Sequence, residues 1–217
     1  MTLSLFGSAD ENQIWREELA PGAVVLRGFA LGDEAVLMTA IDAVITGAPF
    51  RHMETPGGFR MSVAMSCCGG WGWVTDSTGY RYQDTDPQTE HAWPDMPKAL
   101  RELAERSAAS AGFAGFKPDA CLINRYEPGA RMSLHQDKNE RDYSAPIVSV
   151  SLGLPAIFQF GGMARSDKAL RVPLTHGDVV VWGAEARLRY HGVMPLKEGL
   201  HPLLGAQRIN LTFRKAR

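Results

Sequence analysis

The sequence is poor in cysteine, in long apolar runs and in net charge. Its three cysteines are Cys67, Cys68 and Cys121. Two are adjacent and none forms a CxxC pair, so neither a disulfide framework nor a structural zinc site follows. Reduced thiols in a cytoplasmic protein are the expectation. No apolar run approaches the ~18 residues that would span a bilayer, so no membrane partner is expected. Met1–Asn12 lacks a basic segment followed by an apolar stretch, which argues against a secretory signal. Lys and Arg number 23 against 24 Asp and Glu, leaving a formal charge of −1. That near-neutrality excludes a protein that coats nucleic acid by bulk electrostatics. Internal repeats and low-complexity tracts are missing too.

What is present is an ordinary globular composition, 45% apolar and 22% charged, over 217 residues. Such a chain can offset its conformational entropy and fill a single domain. The charge is graded along it. Residues 1–90 carry 5 basic and 12 acidic side chains, residues 91–186 carry 11 of each, and residues 187–217 carry 7 basic and 1 acidic. The basic end reads either as a solvated surface or as an anion site.

Hydrophobic periodicity predicts two helices. Residues 33–46 place Val36, Leu37, Ala40, Ile41, Val44 and Ile45 in one stripe, with Asp33 able to cap and Gly47 able to stop it. Residues 96–111 follow Asp95 as a cap, tolerate Pro97 in the first turn and end before Gly112. Between them, residues 48–94 are rich in Gly, Pro, Thr and aromatics, which suggests short strands and long loops serving as a lid or binding loop. After Gly112 the pattern turns to period two. Strands are expected at 120–126, 131–136, 147–152, 156–160, 169–174, 178–183, 188–194 and 207–214. Eight short strands at this spacing indicate a sandwich or jelly roll. The expected organisation is a single domain, 1–217: an N-terminal extension with a supporting helix (1–50), the loop-rich segment (51–95) and a β-rich core (96–217).

Three His-x-acid repeats occur: His52-Met-Glu54, His135-Gln-Asp137 and His176-Gly-Asp178. Residues i and i+2 of a strand face one side, so each repeat could offer two ligands to a metal. A facial triad needs a second imidazole and leaves open positions. The first repeat lies among Pro and Gly, and the third straddles a glycine turn with only His201 downstream. The second ends a strand candidate, and His191 lies in another. His135, Asp137 and His191 are thus the candidate set, against satisfied polar residues as the alternative. In the last strand, alternation gives Arg208, Asn210, Thr212 and Arg214 one face and Ile209, Leu211 and Phe213 the other. Two arginines with no acid between them suit a small dicarboxylate, since each guanidinium can fork onto a carboxylate. An exposed basic edge strand is the competing reading. Strand 120–126 similarly aligns Asn124 and Tyr126.

These stretches resemble the AlkB family of iron(II)- and 2-oxoglutarate-dependent nucleic-acid demethylases, above all its bacterial members. The match is carried by Pro56-Gly57-Gly58, MSVAMS (61–66), DPQT (86–89), PDACLINRYEPGA (118–130), SLHQDKNE (133–140), APIVSVSLGLPAIFQFGG (145–162), HGDVVVWG (176–183), YHG (190–192) and NLTFR (210–214). It covers nearly the whole chain. The resemblance implies an α+β, β-rich fold: a double-stranded β-helix (jelly roll) core with supporting N-terminal helices, residues 51–95 being a nucleotide-recognition lid. It implies Fe(2+) with 2-oxoglutarate and O2 as cosubstrates. His135, Asp137 and His191 resemble the iron ligands. Asn124, Tyr126, Arg208, Asn210 and Arg214 match the 2-oxoglutarate contacts, Arg208 at the distal carboxylate and Arg214 at the metal-bound end. Trp73 resembles the aromatic residue that stacks on the target base. Met61, Tyr80, Asn139 and Arg165 match residues around the substrate.

The implied reaction removes N-methyl groups, as in 1-methyladenine and 3-methylcytosine. Formaldehyde is released while 2-oxoglutarate becomes succinate and CO2. Single-stranded DNA is the implied preferred partner, with duplex DNA and RNA as further candidates, and the protein is expected to be a cytoplasmic monomer without an obligate protein partner. Two departures bear on the base. Asn139 stands where the bacterial family member has Asp, and Phe59 where a Tyr is found. The first removes a negative charge and the second a hydroxyl. Two other classes stand beside this reading: a dioxygenase of the same fold acting on a protein or small molecule, and a non-enzymatic jelly-roll binding module.

Overall fold

The computed structural model describes residues 15–217. Met1–Asn12, the stretch without a secretory signal, lies outside the described residues. The described residues open with the hairpin β1 (Trp15–Ala20) and β2 (Ala23–Arg27), then α1 (Glu34–Gly47). Next come β3 (Arg51–Glu54), β4 (Arg60–Gly69), β5 (Gly72–Asp76), β6 (Gly79–Gln83) and α2 (Lys98–Ser110). The C-terminal half is β7 (Ala120–Tyr126), β8 (Met132–His135), β9 (Ile147–Gly153), β10 (Ala156–Phe160), β11 (Leu170–Leu174), β12 (Val179–Trp182), β13 (His191–Val193) and β14 (Arg208–Arg214). All eight expected strands are there.

β7 to β14 make a jelly roll. One layer runs β12-β9-β14-β7 and the other β11-β10-β13-β8. The first layer is widened to eight strands by β2 and β1 at one edge and by β4 and β3 at the other. Part of the 51–95 segment therefore runs in the main sheet. β5 and β6 form a separate two-stranded hairpin. No helix among the described residues is long and apolar enough to cross a membrane.

Two apolar clusters hold the layers. On the outer face, Leu37, Ile41, Leu100 and Leu103 pack with Val148, Val150, Ile209, Leu211 and Phe213. Between the layers, Phe158, Phe160, Val180 and Trp182 pack with Val63 and Met65. Each fully buried side chain of this size stabilises the fold by about 2 kcal/mol. In α1 the buried residues are Leu37, Ala40, Ile41 and Val44, while Val36, expected in the stripe, is 49% exposed. Neither aspartate caps its helix. The Asp33 carboxylate accepts instead from Arg106 of α2 at 2.6 Å, tying the two helices together. α2 begins only after Pro97, whose ψ of 142° is extended, so Asp95 lies too far upstream to cap it.

Candidate metal centre and cosubstrate pocket

β14 determines the chemistry of the space between the layers. It is flanked by β7 and β9, and all seven of its residues are buried. It is therefore not an exposed basic edge. Ile209, Leu211 and Phe213 join the outer core. Arg208, Asn210, Thr212 and Arg214 face a cavity of about 720 Å³.

His135 ends β8 and His191 begins β13. The two are register partners across these strands, with ring centroids 4.4 Å apart. This closeness needs Gly192: a Cβ there would sit 2.7 Å from the Met132 carbonyl oxygen of β8. β8 stops at His135, so Asp137 reaches the cluster from the following loop and not from the strand pleat. Its carboxylate lies 3.7 Å from His135 Nε2 and 3.6 Å from His191 Nε2. Candidate ligand atoms of the three residues fall within 4.8 Å of one another, the one such group among the described residues. The other two His-x-acid repeats serve local structure. His52 Nδ1 sits 2.8 Å from the Met61 carbonyl. His176 Nδ1 accepts from the Gly153 amide at 2.9 Å, and Asp178 accepts from the amides of Gly28 and Thr175.

The donor set fits a divalent metal. His135 Nδ1 lies 2.9 Å from the Ser133 carbonyl and His191 Nδ1 3.0 Å from the Arg189 carbonyl. A proton on each Nδ1 satisfies these contacts and leaves Nε2 with its lone pair toward Asp137. Burial and the neighbouring His191 pull the His135 imidazole down to about 4, so it is neutral near pH 7. Burial opposes ionisation of Asp137, but Arg214 and His191 outweigh it and hold the carboxyl well below its ordinary value. The Arg214 guanidinium donates to Asp137 Oδ2 from Nε at 2.9 Å and from Nη2 at 2.7 Å.

The two arginines differ. Arg214 already faces carboxylates, with Glu140 Oε1 also 3.7 Å away. Arg208 is 1% exposed and donates to the Ser151 hydroxyl from Nη2 at 2.8 Å. Its Nε and Nη1 find no hydrogen-bond partner among the described residues. Its guanidinium lies 5.0 Å from the Tyr126 ring centroid. A buried cation with unpaired donors is costly unless an anion completes it, and a carboxylate is the shape that fits. Asn124 Oδ1 is likewise unpaired and buried, and Asn124 Nδ2 donates to Asn210 Oδ1 at 3.4 Å. Asn210 is largely engaged, donating to Ser149 Oγ at 2.8 Å and to the Val150 carbonyl at 2.9 Å.

The more exposed rim of the cavity holds Met61, Trp73, Tyr80, Asn139 and Arg165. Trp73 stacks on Tyr80 at 5.6 Å and donates from Nε1 to Asn139 Oδ1 at 3.2 Å. Arg165 lies over the Tyr190 ring at 5.5 Å. Phe59 is 77% exposed at the turn between β3 and β4. The structure thus brings every sequence-predicted residue to one cavity. Sequence reasoning missed Ser151, Tyr82, Glu140 and Arg187, which brace the site from behind. Only Tyr82 had a signal, its period-two spacing from Tyr80.

Two imidazoles and one carboxylate at the open cleft of a jelly roll, beside an unpaired buried arginine, define a non-haem iron oxygenase. Comparison with known proteins agrees. The model of the 2OG-Fe(II) oxygenase superfamily matches residues 22–214, and the chain belongs to that superfamily. It is 58% identical over 214 residues to the alpha-ketoglutarate-dependent dioxygenase AlkB of Escherichia coli, covering 99% of this chain and 98% of the relative. It is 43% identical to the AlkB homolog of Caulobacter vibrioides, covering 92% of each. The solved structure of OsALKBH1 superposes with a TM-score of 0.81 at 30% identity, covering 92% of this chain and 99% of that one. The superfamily uses Fe(2+), 2-oxoglutarate and O2.

Proposed function

We propose that this dioxygenase is an oxidative DNA repair demethylase that removes N-methyl groups from bases such as 1-methyladenine and 3-methylcytosine. One observation carries the reading. A single cavity joins the His135, Asp137 and His191 cluster and the Arg208 guanidinium, whose Nε and Nη1 lack partners, to a rim bearing Trp73. The high identity to AlkB proteins along the full chain supports the substrate class.

His135, Asp137 and His191 would hold the iron. Arg208 would take the distal carboxylate of 2-oxoglutarate, with Asn124, Tyr126 and Asn210 alongside and Arg214 near the metal-bound end. Iron and 2-oxoglutarate, when bound, supply the oxidation by O2 that turns the cosubstrate to succinate and CO2. The chain's own residues orient and exclude. Trp73 offers a flat face to a base taken out of its strand. His135 and the β5–β6 hairpin hold that base's methyl group toward the metal side, and the apolar walls of Leu122, Met65 and Phe158 keep water away. Formaldehyde and the restored base follow.

Asn139 spends its carbonyl oxygen on the Trp73 indole. As a neutral amide it brings no negative charge to a cationic methylated base, and shape and stacking carry more of the selection. Residues 51–95, above all the β5–β6 hairpin, act as the lid over residues 96–217. Single-stranded DNA is the preferred partner, since no unpairing opposes entry of the base; duplex DNA and RNA are further candidate substrates. With near-zero net charge, the protein binds strands weakly, as a monomer in the cytoplasm.

The test is a panel of single- and double-stranded oligonucleotides carrying 1-methyladenine or 3-methylcytosine, assayed for base restoration. Restoration that needs iron and 2-oxoglutarate supports the proposal. Cosubstrate turnover without restoration of any methylated base would move the activity to a protein or small-molecule substrate. No succinate at all would leave a binding module.

A further inference from the structure

Behind the cavity, five residues close a hydrogen-bonded ring, four of its bonds between side chains and the fifth to a backbone carbonyl. Arg214 donates to Asp137 Oδ2 at 2.9 Å and, through Nη1, to the Tyr82 hydroxyl at 3.4 Å. Tyr82 donates to Glu140 Oε1 at 2.6 Å. Glu140 Oε2 accepts from Arg187 Nη2 at 3.0 Å. Arg187 Nη1 returns to the backbone carbonyl of Asp137 at 2.8 Å. All five residues are at most 8% exposed. Two carboxylates face two guanidinium groups, so the ring is neutral without any bound group. The Tyr82 phenol is its hinge, accepting on one side and donating on the other. Burial raises it well above the ordinary tyrosine range, so it keeps the proton that it donates.

Four members of the ring belong to the jelly roll and its loops, but Tyr82 belongs to β6. It lies directly opposite Trp73 of β5 in the hairpin register. The β5–β6 hairpin pairs with neither large layer, so the phenol hydroxyl is a polar tether from the hairpin to the site. We infer that Tyr82 is a positioning residue: through Arg214 and Glu140 it ties the orientation of the Asp137 carboxylate to the seat of the hairpin that carries Trp73. This rests on the demethylase reading for the roles of Asp137 and Trp73, and adds a coupling between them. Occupancy at Trp73 fixes the hairpin, hence Tyr82, hence the carboxylate and the guanidinium beside the cosubstrate. Linkage makes the effect reciprocal.

The experiment uses the full chain loaded with Co(II), a redox-silent probe whose visible spectrum reports ligand geometry. The dissociation constant of 2-oxoglutarate is measured with and without a saturating single-stranded oligonucleotide carrying 1-methyladenine. In the wild-type protein the oligonucleotide should tighten 2-oxoglutarate by at least about fivefold and shift the Co(II) spectrum. In Tyr82→Phe the tightening should fall below about twofold and the spectral response should vanish. Glu140→Gln, which keeps an acceptor for the phenol but removes the charge facing Arg187, should also lose most of the tightening. It serves if Tyr82→Phe does not fold. A purely structural tyrosine would weaken 2-oxoglutarate equally with and without oligonucleotide; a wild-type ratio preserved in the variants overturns the inference alone. Wild-type tightening absent altogether, with the methylated strand still preferred, also overturns it alone. Equal binding of methylated and unmethylated oligonucleotides by the wild-type protein would overturn both the inference and the demethylase reading.

Discussion

His135 and His191 are cross-strand partners of β8 and β13, their rings 4.4 Å apart. Chain segments remote in sequence therefore present two imidazoles at one point, and Gly192 sets how near they come. A methyl group at Gly192 would meet the Met132 carbonyl oxygen at 2.7 Å, and that atom is backbone and cannot rotate away. Gly192→Ala should push β13 off β8 and part the imidazoles. We expect iron affinity, measured by titration with a competing chelator, to fall at least about tenfold, in the range seen when a ligand's support is lost.

Arg208→Ala should raise the 2-oxoglutarate requirement. A charge-assisted bond of this kind is worth about 1.5–3 kcal/mol, so the cosubstrate KM should rise roughly 10- to 150-fold. Arg208→Lys should recover only part of it, because an ammonium cannot fork. Steady-state kinetics at saturating oligonucleotide measures both.

Trp73→Ala should weaken binding of a methylated single strand by about 1–3 kcal/mol, the worth of one base stacked on an aromatic face. Fluorescence anisotropy reads it directly. A loss near zero would make the indole a structural part of the hairpin, held by Asn139 and Tyr80.

The thiols should be silent in the folded protein. Cys67, Cys68 and Cys121 are free and buried, and burial pushes the Cys67 thiol up to about 12 from 9.0. None should react with a thiol reagent at pH 8, and all three should react in denaturant. The linkage has a definite sign. Above pH 9 the unfolded chain releases the Cys67 proton while the folded chain retains it, so this contribution to stability is lost as pH rises from 9 toward 12. Denaturant midpoints across that range should fall more steeply in the wild-type protein than in Cys67→Ala.

Much of this was legible in the sequence, for a physical reason. β14 alternates strictly between polar and apolar, so its two faces could be assigned before any fold was known. Asn124 and Tyr126 on β7, its neighbour, followed the same rule. β2 escaped notice because Ala23–Arg27 is a short apolar run without alternation, buried on both faces. The Asp33 cap failed because that carboxylate found a stronger partner in Arg106 than in its own helix, and the Asp95 cap failed because α2 starts only after the extended Pro97. The unequal state of the two arginines was hidden for a similar reason. Asp137 and Glu140, which engage Arg214, come from an irregular loop whose side-chain directions no periodicity encodes. Tyr82 carried only its two-residue spacing from Tyr80, Glu140 and Arg187 carried no pattern at all, and only tertiary contact brings the three into one ring.

With iron and 2-oxoglutarate bound, the cavity should oxidise an N-methyl group. That chemistry is tested most directly by measuring formaldehyde and succinate together, from a single-stranded oligonucleotide carrying 1-methyladenine, with wild-type protein and with Asp137→Ala. The wild-type protein should release equal amounts of the two products, dependent on added iron, and Asp137→Ala neither. Succinate without formaldehyde, or formaldehyde undiminished in Asp137→Ala, would contradict that chemistry.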